Sequence, residues 1–135
     1  MRILAAASRR LDINVLRREL EQPRGDTYEL FVLYMVGDRG VRARLLHTSR
    51  FWRNRHAELD GILEEFARGG VLCDGLATAG DPIEVIDRSL REFQPDEVVI
   101  ARTGRSRSVE AKLEGLLQGY ALASGRPIKM TWLTA

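Results

Sequence analysis

One cysteine, Cys73, stands in the whole chain, so no internal disulfide can form and the usage fits a reducing compartment. It has none of the Cys and His neighbours of a zinc cluster, and among Val71, Leu72 and Leu76 it reads as a small core residue. Only 4 prolines and 12 glycines punctuate the 135 residues, which excludes collagen-like and low-complexity classes. No apolar run approaches the roughly 18 to 20 residues that a membrane span requires, and no apolar stretch near the N-terminus leads to a small-residue cleavage site. The expectation is one soluble domain over residues 1–135, with the cytoplasm as its location and no membrane among its partners. Charge of one sign is also scarce: 21 Lys and Arg face 19 Asp and Glu, a net charge of +2. That balance does not by itself argue for nucleic acid.

What is present is an alternation of short apolar runs with longer amphipathic ones, the pattern of parallel strands joined by crossover helices. Strands are expected at Ile3 to Ala7, Tyr28 to Val36, Val71 to Ala79, Glu97 to Ala101 and Ile128 to Leu133. Between them lie four helices. The first carries Leu11, Val15, Leu16 and Leu20 on one stripe, and the second places Trp52, His56, Leu59, Ile62, Leu63 and Phe66 on its core face. The third carries Ile83, Ile86, Leu90 and Phe93, and the last Val109, Leu113, Leu116, Leu117 and Tyr120. Asp81, Pro82 and Glu84 specify the third helix's start: a capping carboxylate, a proline where no N–H is needed, and an acid at the capping-box position. The predicted class is α/β, a three-layer sandwich with a five-stranded parallel sheet and helices on both faces.

In such a sheet ligands bind beyond the carboxyl ends of the strands where strand order reverses, which directs attention to the loops after Ala7, Val36 and Ala101. The last of these reads Arg102-Thr103-Gly104-Arg105-Ser106-Arg107-Ser108 and opens a helix. A glycine lets backbone approach an anion, hydroxyls and free N–H groups donate to it, and arginines add full charge. Phosphate is the natural ligand, although the same residues also serve simply to cap a helix.

The stretch Gly80-Asp81-Pro82 with its helix, the strand entry Pro95-Asp96-Glu97-Val98-Val99-Ile100, the glycine-bearing loop and the closing Gly125-Arg126-Pro127-Ile128 resemble the C-terminal half of the universal stress protein family. The resemblance implies a Rossmann-like sheet of strand order 3-2-1-4-5. It also implies ATP or another adenine nucleotide as ligand, and a homodimer paired through the C-terminal strand Lys129 to Leu133, an edge that only Lys129 blunts. Nucleotide-binding members carry Gly-x2-Gly-x9-Gly-Ser/Thr after the fourth strand and an Asp at the end of the first. Here Ala101 stands at the first glycine, Gly104 at the second and Gly115 one residue past the third, while Ser8 holds the Asp position. Ser8, Ala101, Gly104, Arg105, Ser106, Arg107, Ser108 and Gly115 are therefore the candidate nucleotide or phosphate residues.

Two functions remain open: a sensor or binding module for such a ligand, and a ligand-free interaction protein with a degenerate nucleotide site that acts through dimer and partner contacts. A third, a nucleotide hydrolase with Asp74 or Asp81 holding a metal, competes with the capping role of Asp81. His47 and His56, nine residues apart, make no helical metal pair, and no metal is predicted. Walker, dinucleotide-fingerprint and nucleophile-elbow motifs are missing. From Arg39 to Arg55 six arginines run without a carboxylate, a surface suited to an acidic protein partner. Phe51 and Trp52 among them mimic a single-stranded nucleic-acid site, yet both fall where the core stripe begins, so nucleic acid is disfavoured.

Overall fold

Among the described residues nine elements follow one another: β1 (Arg2–Ala7), α1 (Ile13–Leu20), β2 (Glu29–Val36), α2 (Arg50–Arg68), β3 (Leu72–Ala79), α3 (Pro82–Phe93), β4 (Glu97–Ala101), α4 (Arg107–Ser124) and β5 (Lys129–Leu133). The structure, a computed structural model, describes residues 1–7, 13–20, 28–36, 50–79, 81–101 and 107–133. All five strands are parallel in one sheet, in the order β3-β2-β1-β4-β5. Chain progression runs outward from β1 through β2 to β3, then crosses back to β4 and β5. Crossovers of one hand that proceed in one direction lay their helices on the same face, so α1 and α2 cover one side and α3 and α4 the other.

Successive strand residues point to opposite faces, so each strand feeds two cores. Ile3, Ala5, Leu30, Val32 and Tyr34 meet Leu16 and Leu20 of α1 and Leu59, Ile62 and Phe66 of α2. Leu4, Ala6, Leu33, Val98 and Ile100 meet Ile86 and Leu90 of α3 and Leu113 and Leu117 of α4. The central strands β1 and β4 are accordingly buried on both sides, as their continuous apolar runs predict. Glu97 is the exception in chemistry though not in burial: it is 0% exposed, with the Thr131 hydroxyl donating to its Oε1 at 3.5 Å and Lys129 Nζ at 3.9 Å on the neighbouring strand.

Local signals explain the element ends. Asp81 Oδ1 accepts from the Ile83 N–H at 3.0 Å, with Pro82 in the first turn, which satisfies a helix donor that would otherwise be unpaired. α3 ends at Gln94, which takes a left-handed φ of 53° while its N–H bonds the Leu90 carbonyl. α2 ends through Gly70 at φ +83°, where a side chain would be strained.

One assignment is corrected. His56 lies exposed rather than on the core face of α2. With about 100° of turn per residue, the stripe centred on Leu59, Ile62 and Phe66 leaves His56 at its flank. Trp52, assigned to the same stripe, has a side chain outside the described residues.

Candidate functional site

β1 is the strand at which order reverses, with β2 on one side and β4 on the other, so the crevice expected for a ligand opens at its carboxyl end. The register sets Ala7 beside Tyr34 and Ala6 beside Ile100. β1 ends in three small residues, Ala5, Ala6 and Ala7, each at most 2% exposed. β4 ends beside it in buried Ala101, which pairs with Leu133 of β5. Short side chains at both strand ends keep the floor of this pole low, so an entering group could approach the backbone closely.

α4 begins at Arg107, six residues beyond the end of β4, and its first-turn N–H groups face this same pole. Arg107 and Ser108, read from the sequence as the end of the loop, form the first residues of the helix, and their side chains lie outside the described residues. Ser8, Gly104, Arg105 and Ser106 lie wholly outside them. Gly115 is placed elsewhere: about two turns into α4, it lines a cleft of about 800 Å³ between α3 and α4 together with Asp87, Arg91 and Tyr120. The basic run at residues 39–49 also falls outside the described residues, as does His47.

Sequence comparison finds no family model and no curated protein that matches the chain. Solved structures do match. A protein from the universal stress protein family of Burkholderia pseudomallei superposes with a TM-score of 0.63 at 19% identity, covering 98% of this chain and 96% of that one. A universal stress protein family protein from Arabidopsis thaliana, solved with AMP bound, gives 0.51 at 19% identity over 99% and 91%. A universal stress protein in complex with cAMP gives 0.52 at 15% identity over 99% and 96%.

The chain has the universal stress protein fold.

Within that fold the described residues add groups that sequence reasoning did not single out. Tyr34, 1% exposed at the level where β1 ends, donates its hydroxyl to Glu58 Oε2 of α2 at 2.9 Å. The signal was available: a tyrosine inside an apolar strand must find a partner for its hydroxyl when the ring is buried. At the opposite pole Asp96 joins β1 to the α4–β5 connection, its Oδ2 accepting from the Arg2 N–H at 2.8 Å and its Oδ1 from Arg126 Nη1 at 2.9 Å.

The carboxylates considered as metal ligands are engaged locally. Asp81 caps α3, and Asp74 Oδ1 accepts from the Gly75 N–H at 2.8 Å. Among the described residues no group of three or more His, Cys, Asp or Glu side chains gathers to hold a metal ion. The Cys73 thiol donates to the Leu63 carbonyl at 3.2 Å; burial first, and the negative charge of Asp74 second, push its pKa above the ordinary value. Among the described residues no helix is long and apolar enough to cross a membrane.

Proposed function

We propose that the protein is a sensor or binding module whose ligand is an adenine nucleotide or another phosphate-bearing molecule, held at the carboxyl end of the sheet by the loop after β4. The observation that carries this is the crevice itself: β1 lies at the reversal of strand order, Ala7 and Ala101 keep its floor low, and α4 opens just beyond. AMP and cAMP in the similar solved structures support an adenine ligand in a fold of this kind. In this assignment Gly104 lets the backbone approach the phosphates. Ser106, Ser108 and the α4 N-terminus donate hydrogen bonds, and Arg105 and Arg107 supply charge in place of the family's glycine-and-hydroxyl pattern. Ser8 offers a hydroxyl where the family has a carboxylate.

The test is mass spectrometry of small molecules released from the native protein by heat, followed by melting scans with ATP, ADP and AMP. A bound nucleotide should raise stability by about 2.7 kcal/mol at a hundredfold excess over its dissociation constant. Replacing Arg105 and Arg107 by Ala should weaken binding by about 1 to 3 kcal/mol, read by calorimetric titration. Unchanged affinity would remove the loop from the site. The second assignment, an interaction protein that keeps the fold without the nucleotide, is favoured by Ala101 and Ser8 at the positions of the family's glycine and carboxylate. It predicts no released nucleotide and no shift with any of the three.

A further inference from the structure

A serine inside a helix ordinarily bonds its hydroxyl to the carbonyl four residues back or turns it out to water. Ser89, in the middle of α3, is 7% exposed, and its hydroxyl has no hydrogen-bond partner among the described residues. A buried polar group left unpaired is destabilising, and native interiors hold few of them. Ser89 lines a pocket of about 150 Å³ between α3 and the strands β2 and β3. Phe31 and Phe93, their ring centroids 5.3 Å apart, form its aromatic side, and Leu76 and Val85 complete the apolar wall. Leu76 is 49% exposed here, because α3 leaves the end of β3 and crosses toward β4. Arg88 and Glu92, both exposed, stand where the pocket opens, and neither joins an ion pair among the described residues. With the arginine first and the glutamate four residues on, the two run against the helix dipole and have little to gain from each other.

A cavity of this volume with leucine and phenylalanine in its walls holds one benzene-sized group. We propose that the pocket binds an aromatic α-amino acid carrying a ring hydroxyl, with the ring against Phe31, Phe93 and Leu76, the α-carboxylate on Arg88 and the α-ammonium on Glu92. Ser89 selects the hydroxyl. It is buried below the rim, so the atom that satisfies it has to be carried in by the ring, and a purely hydrocarbon ring would leave it unpaired. The rim selects the head. Two unpaired charges of opposite sign one helical turn apart match a zwitterion, and an amine or an acid alone would leave one of them unanswered. Covering Leu76 removes exposed apolar surface from water, which adds to the affinity. None of the residues assigned to the nucleotide lines this pocket except through the fold itself, so the two ligands are tested separately.

Titration of the full chain with L-tyrosine up to millimolar concentration, followed by amide chemical shifts, should give saturable changes at Phe31, Leu76 and from Arg88 to Phe93. L-Phenylalanine, tyramine and hydroxyphenylpropionate, which lack in turn the ring hydroxyl, the carboxylate and the amine, should each bind about tenfold more weakly. Ser89→Ala removes an unpaired group, so the free chain should melt no lower than the parent, while tyrosine loses its advantage over phenylalanine. Arg88→Ala, at an exposed position, should likewise erase the advantage of tyrosine over tyramine. No saturable shift at these residues, a preference for tyrosine over phenylalanine that survives Ser89→Ala, or tyramine binding as tightly as tyrosine would each overturn the proposal.

Discussion

Gly75 is the tightest of the described glycines. A Cβ there would sit 2.9 Å from the Val32 carbonyl oxygen and 3.0 Å from Leu59 Cδ1, so α2 rests on β3 at a distance that only glycine permits. Gly75→Ala should cost about 1 to 3 kcal/mol in urea unfolding, because both neighbours must move. Gly61, in the middle of α2, would place a Cβ in open space. Gly61→Ala should therefore raise stability by about 0.5 to 1 kcal/mol through helix propensity and lost chain entropy. Equal effects from the two substitutions would mean that α2 is free to lift off the sheet.

Cys73, two residues before Gly75, gives a pH signature. Its thiol holds the proton more tightly folded than unfolded, because burial and then Asp74 oppose the thiolate. That contribution to stability is present below the unfolded pKa and is lost as pH rises through the folded one. Urea midpoints measured from neutral to alkaline pH should fall less steeply on the alkaline side for Cys73→Ala than for the parent chain.

Elements are held at their ends by a few polar groups. Asp81 caps α3, and Asp81→Ala should cost about 1 kcal/mol; a fully stable variant would refute the capping role. At the amino pole Asp96 binds β1 through the Arg2 N–H and the α4–β5 connection through Arg126, while the Arg2 and Arg126 guanidiniums bond the Phe93 and Gln94 carbonyls that close α3. Asp96→Ala should cost about 1 to 2 kcal/mol, at the low end for charged hydrogen bonds because water reaches both partners. Thermal unfolding should show the loss, and hydrogen exchange should place it at the start of β1 and of β5. A glutamate of α2, Glu65, pairs with Arg17 of α1 and ties the two helices that share a face.

At the scale of the whole molecule, the sheet divides the described hydrophobic interior into two cores of similar make-up, one on each of its sides. Order reversal at β1 is a consequence of the chain's path: two crossovers outward, one long return, one more outward. The same path decides which strand edges are left bare. Because α3 must span from β3 back to β4, it cannot also cover the outer face of β3, and Leu72 and Leu76 emerge there.

Much of this was legible in the residues themselves. Period and punctuation determined the nine elements of the described residues, because an apolar run such as Val98 to Ile100 suits the inside of a parallel sheet, and because Asp81 with Pro82 suits the start of a helix. The resemblance to universal stress proteins carried the strand order, which the fold bears out. Periodicity could not tell His56 from a core residue, since a flank position and a central one differ only by where the sheet lies. Nor could it show that Glu97, the one acid in β4, is wholly buried beside Thr131 and Lys129, or that two leucines of β3 face outward. Those are properties of neighbours distant in sequence, and burial is decided by what the fold brings alongside a residue rather than by the residue's own hydropathy.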